Sequence, residues 1–273
     1  MADGYGPRTR LRVYRHLFVA QIRSQASYRA SFAIDLFSNA LIPLIDLATV
    51  LLMFQVTREL GGFTAVEVVL MFSLTGVGFA LADMVVGNVE RLRIYVRTGL
   101  LDAVLVRPLS VLGQLVALDF SVRRVARIAV SLTVLMLALA RLDLDWTPAR
   151  VAILVLAPLV GAVYFSALFV ATAAVAFWWI ESGEFANAFT YGGRDFASYP
   201  MTVYGGLFRR LFAYSLGFAF VSYFPALALL GRPDPLGMPG WVSWSGPAVA
   251  LAASAVAGLI WRTGIRHYRS TGS

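Results

Sequence analysis

Six stretches of this chain have the length and apolarity of bilayer-crossing helices, and that feature constrains the fold more than any other. A helix needs about 20 mostly apolar residues to cross ~30 Å of hydrocarbon. Ala33–Phe54, Phe63–Val86, Val151–Trp179 and Trp244–Trp261 meet that requirement directly, and Leu211–Leu230 is a further candidate. The remaining span has a fully apolar part, Ile128–Ala140, that is too short alone. It must begin near Ser121 and so takes in Arg123, Arg124 and Arg127. Only 14% of the 273 residues are charged, against about 25% in soluble proteins. The expected class is an all-α integral membrane protein with six transmembrane helices.

Arginine placement gives the expected orientation, because cytoplasmic flanks collect positive charge. With the N-terminus inside, residues 1–30, 88–111, 181–210 and 262–273 hold six, four, three and three Arg. The other side holds only Arg58, Arg141, Arg150 and Arg232. Both termini are therefore expected in the cytoplasm, and no cleaved signal sequence is expected at Met1–Arg10. The net charge of +8 is then membrane topology, and no nucleic-acid partner is expected. Three regions follow: a cytoplasmic amphipathic helix in 1–30, a transmembrane domain over 31–262, and a cytoplasmic tail at 263–273. In the first, Leu11, Tyr14, Phe18 and Ile22 share a face suited to the lipid interface.

Absences exclude several chemistries. The chain has no Cys, and all 23 basic residues are Arg. A GxxxxGK[ST] phosphate loop and a Schiff-base lysine are thus impossible, and two His are too few for HExxH. No cofactor is expected on this chain. Any nucleotide energy must come from another subunit.

Two inner segments stand out. In 88–110, residues 89–98 can form a short helix ended by Gly99, with Asp102 capping a further turn that Pro108 closes. Leu92, Tyr95 and Val96 would form one face, with Arg91, Arg93 and Arg97 around the others. Such a helix suits docking into a groove on a cytosolic partner, or serves as an ordinary connection. The second segment, 181–210, is punctuated by Gly and centred on Asp195–Tyr204. It is expected to be interfacial or a second docking element.

These features together resemble the permease subunits of ABC-2 type exporters, in particular a bacterial group of similar length with six spans. The run Gly99-Leu-Leu-Asp102-Ala-Val-Leu-Val-Arg107-Pro108 is similar to that group's G-x-L-D-x-x-L-x-[RK]-P signature. In order, Tyr28-Arg29-Ala30, Gly61-Gly62-Phe63, Asn88, Phe177-Trp178, Tyr199-Pro200 with Tyr204, and Pro225-Ala226 also match. Ser198, where a basic residue often precedes the Tyr-Pro pair, and Gly217 depart from the pattern. The resemblance implies a type V exporter-like fold in the bacterial plasma membrane. It also implies pairing with a second permease, identical or different, and with a cytosolic ATPase dimer that holds ATP and Mg. Coupling to that ATPase would fall to Arg91, Arg93, Tyr95, Arg97, Gly99, Leu101, Asp102, Arg107 and Pro108. Phe196, Tyr199, Pro200 and Tyr204 would form a second coupling element. The cargo would be a drug, lipid or polymer of hydrophobic or amphipathic character.

Ionisable groups within spans are costly and default to functional candidates. Asp46, near the middle of Ala33–Phe54, is either a counter-charge for substrate or a bond to a neighbouring helix. Arg123 and Arg127 either snorkel to the surface or line a vestibule for anions or lipid headgroups. A stand-alone secondary transporter or channel is the competing reading. It predicts inverted repeats and midplane charges, and no convincing repeat relates the two halves.

Overall fold

A computed structural model describes residues 29–118 and 124–268. The expected N-terminal amphipathic helix, Arg123 and the end of the tail lie outside the described residues. Among those described, regular structure is helical apart from one isolated bridge between Leu60 and Phe63.

Helix α1 (Arg29–Val56) is joined to α2 (Ala65–Val86) by a tight turn through Gly61 and Gly62, whose φ angles are 60° and 86°. Leu60 and Phe63 exchange backbone hydrogen bonds of 2.9 and 3.1 Å across it. α2 starts at a capping box, in which the Thr64 amide donates to Glu67 Oε2 at 2.7 Å. α2 is apolar on all sides, as suits a helix enclosed by others. Val68, Leu70, Met71, Leu74 and Phe79 are all buried.

A 3-10 turn (Gly87–Arg91), α3 (Leu92–Arg97) and α4 (Leu100–Leu105) follow, then α5 (Val111–Leu118) and α6 (Val125–Arg141). α7 (Pro148–Ala174) begins at Thr147, whose side chain accepts from the Arg150 amide, with Pro148 in the first turn where no N–H is needed. A Cβ on Gly78 of α2 would stand 3.0 Å from Gly161 Cα of α7. The two axes therefore approach more closely than larger residues permit. α8 (Gly183–Ala197), α9 (Gly206–Arg209, continued by a π-helical turn Arg210–Ser215), α10 (Tyr223–Leu230) and α11 (Gly246–His267) complete the chain. α11 packs on α7, with its Ala250 and Ala257 buried. Among the described residues, four helical stretches are long and apolar enough to cross a membrane: Phe32–Val56, Ala65–Arg97, Pro148–Phe177 and Gly246–His267. A fifth exists if α9 and α10, bent by 62°, count as one span.

Two expectations are corrected. Leu211–Leu230 is not a straight span. Thr202 Oγ1 donates to Gly61 O at 2.7 Å, and Arg232 Nη2 donates to Gly62 O at 3.1 Å. Both roots of the 206–230 segment are thus tied to one turn. Its bend sits halfway along α7, where the Tyr164 hydroxyl donates to Leu216 O at 2.7 Å. The segment dips into the bundle and returns to the end it left. Gly217 makes the bend: its φ is 95°, and a Cβ there would lie 2.6 Å from Val249 Cγ1. Hydropathy counts apolar residues but is blind to this reversal.

The second correction concerns 181–210, which is not confined to one end of the bundle. Gly183 lies against the Arg93 guanidinium near α3, whereas Thr202 reaches the Gly61 turn. α8 runs between these ends, packed on α2 and α7. Its Glu184, Asn187, Arg194 and Asp195 keep it out of any apolar window.

Candidate functional site

The segment from the 3-10 turn to Pro108 builds a small core of its own. Val89, Leu92, Val96, Leu101 and Val104 are buried against Leu115, Ala173, Phe177 and Trp261, and Tyr95 packs partly against them. The other side is open: Arg91, Arg93, Ile94, Arg97, Leu100, Leu105, Val106 and Arg107 are exposed. Gly99 (φ 71°) turns the chain between α3 and α4. Asp102 lies in the first turn of α4, not at its cap as expected, and accepts from the Tyr268 hydroxyl at 3.1 Å. Burial, then this bond and the Asp102 charge, raise the Tyr268 pKa, which keeps the phenol a donor. The turn before Pro108 is held by Gln114, whose Nε2 donates to Val104 O (3.0 Å) and Leu109 O (3.2 Å).

This segment touches three neighbours beyond its core. Arg97 pairs with Glu181 after α7. Glu90 accepts from Thr190 Oγ1 (3.4 Å) and the Tyr191 hydroxyl (3.5 Å) of α8. Tyr268 follows α11. The segment is therefore tied to the middle of α8 and to the C-terminal ends of α7 and α11.

Asp46 does not stand alone at mid-span. Arg194 Nη2 on α8 donates to its Oδ2 at 2.8 Å, and the guanidinium carbon lies 5.6 Å from the Phe79 ring centre. The pair ties α1 to α8. Arg127, on α6, donates to Asp83 Oδ2 at 2.7 Å and to Asn39 Oδ1 at 3.2 Å. Arg124 pairs with Asp83 Oδ1 at 2.9 Å and donates to Asn88 Oδ1 at 3.1 Å. Asp83 is 1% exposed, so two guanidinium groups clamp one buried carboxylate and join α1, α2 and α6. Arg127 is engaged in this clamp.

Phe196, Tyr199, Pro200 and Tyr204 come together, but at the Gly61 end. Phe196 stacks on Tyr204 with ring centres 4.1 Å apart, and the Tyr204 hydroxyl donates to Phe196 O at 3.0 Å. Pro200 is buried and precedes a 3-10 turn at Met201–Val203. This group is at the opposite end from α3 and α4, so the second coupling element is corrected: it cannot share a partner with the first. Sequence reasoning missed Arg194, Gln114 and Glu90. Only Arg194 left a signal, since a mid-span acid calls for a base at equal depth.

The outward side of α8 carries Glu184, Asn187 and Asp195 along its length, with Phe185, Ala188 and Gly192 also exposed. Beside it, α1 exposes Ile34, Phe37, Ile45 and Leu52.

Fold and site define a polytopic helical membrane protein with a short exposed basic-and-apolar surface at one end. The family model described as ABC-2 family transporter protein matches residues 40–272, and the chain belongs to that family of ABC-transporter membrane components. No match was found among curated proteins or among solved structures.

Proposed function

We propose that this chain is the permease subunit of an ATP-driven exporter that moves an amphipathic substrate outward, with ATP hydrolysed by a cytosolic ATPase dimer docked on α3 and α4. In this reading the chain crosses the membrane six times, through α1, α2, α5 with α6, α7, the 183–203 segment, and α11. Both termini and the 87–107 segment face the cytoplasm of a bacterial cell, and α9 and α10 form a hairpin entering from outside. Among the described residues, Arg91, Arg93, Arg97, Arg107, Arg262 and Arg266 lie at one end with Arg124 and Arg127 close to it, while Arg58, Arg141, Arg150, Arg209, Arg210 and Arg232 lie at the other, an excess toward the end proposed as cytoplasmic.

The observation that carries the reading is the polar outward stripe of α8. Carboxylates and amides do not face lipid tails at depth, so Glu184, Asn187 and Asp195 must face water or protein. The apolar α1 surface beside them fits a second permease, identical or different, closing the opposite wall. A path between two such faces offers polar groups and apolar surface together, which is the chemistry of amphipathic cargo.

The absence of Cys gives a clean background for testing this. Single substitutions Asn187→Cys and Asp195→Cys should react with a water-soluble maleimide in membranes, and Leu251→Cys on the outward face of α11 should not. Equal protection of all three positions would overturn the pathway.

A further inference from the structure

A large groove among the described residues plays no part in that pathway. It holds about 1070 Å³, at the top of the ~300–1,000 Å³ range of small-molecule sites. Its walls come from α2, α5, α7 and α11, with Leu159 and Val170 marking its extent on α7 and Ser254 and Ile265 on α11. At 1.5 Å per residue, each of those stretches covers about 16 Å. That is half of a ~30 Å hydrocarbon core, the depth of one leaflet. The interior is aliphatic, and Arg262 is the one ionisable group among its lining residues.

Arg262 stands at the end that carries α3 and α4, one residue from Trp261, which is buried in the small core there. Its side chain is exposed and, among the described residues, has no ion-pair or hydrogen-bond partner. Among the described residues, Arg124, Arg127 and Arg194, which lie within the bundle, are each paired with a carboxylate. A slot one leaflet deep, apolar inside and bearing an uncommitted cation at its mouth, has the shape and charge of a membrane lipid.

We infer that this groove is a resident site for an anionic glycerophospholipid, with acyl chains along α7 and α11 and the phosphate on Arg262. The site rests on the proposed orientation, which puts Arg262 in the anionic cytoplasmic leaflet. Substrate would not pass through it, because it lies on the α7–α11 side, away from the polar stripe of α8. An occupant would brace α5 against α11 beside the docking segment.

Trp261 lines the groove, so the site can be read by fluorescence. The permease is reconstituted without any ATPase into vesicles of mixed phosphatidylcholine and phosphatidylglycerol, in which one lipid or the other carries brominated acyl chains that quench nearby indoles. The Trp261 contribution is the difference between the protein and its Trp261→Phe variant. Brominated phosphatidylglycerol should be preferred at Trp261 by about five-fold, the effect of one basic side chain near a membrane surface. Arg262→Lys should keep most of this preference, and Arg262→Gln should abolish it, with circular dichroism confirming that both variants are folded. Equal quenching by the two lipids, or an undiminished preference in Arg262→Gln, would overturn the inference. Neither result depends on ATPase docking or on labelling of α8, so failure here is distinct from failure of the exporter reading.

Discussion

Two ion-pair sites illustrate how differently equal charges behave in this chain. Asp83 is almost wholly enclosed and neutralises two guanidinium groups, so removing its charge strands both cations. Asp83→Asn should destabilise the protein by about 3–5 kcal/mol, measured by chemical denaturation in detergent micelles. Asp46 keeps a side-chain exposure of 35%, and water screens much of its attraction to Arg194. Asp46→Asn should cost only about 1 kcal/mol, and the exchange Asp46→Arg with Arg194→Asp should recover part of it. If both single variants lost equal stability, the assignment of Asp83 as the main clamp would fall. Asp46 was legible in the sequence because an acid amid apolar residues is conspicuous. Arg194 was not, since its surroundings are polar and only the fold brings it to the depth of Asp46.

At the scale of elements, the docking segment separates into two faces with different expected consequences. Leu92→Asp puts a charge into the small core and should prevent folding. Ile94→Asp and Val106→Asp alter exposed positions and should leave folding intact while abolishing co-purification of the partner ATPase. Retained association in the doubly substituted protein would show that docking lies elsewhere. The segment was readable because Gly99, Pro108 and the spacing of Leu92 and Val96 leave local marks on the chain. α8 left none. A 15-residue helix with three charged residues imitates a loop under any hydropathy window, and its role follows only from where its two ends are anchored. α9 and α10 failed in the opposite sense: their apolarity was read correctly, but the reversal at Gly217 depends on tertiary contacts to Val249 and Tyr164. Gly217→Ala forces a side chain into positive φ and against Val249. It should cost at least ~1 kcal/mol, seen as a lower midpoint of thermal unfolding.

For the whole molecule, the decisive matter is which segments share a side of the membrane. Gly205→Cys and Gly237→Cys flank the hairpin, and both should be labelled from the side that reaches Arg58→Cys, opposite to Arg97→Cys. Labelling of the two hairpin flanks from opposite sides would restore a straight crossing at 211–230. The turn at Gly61 and Gly62 carries a practical consequence. Adjacent carbonyls there anchor Thr202 and Arg232, so it acts as a rivet through three strands of the chain. An epitope tag or antibody site inserted there, however accessible it looks, would loosen the hairpin's mooring. At the Asp143–Asp145 connection the tie from Arg150 to Asp145 is local to the start of α7, so a handle there would disturb less.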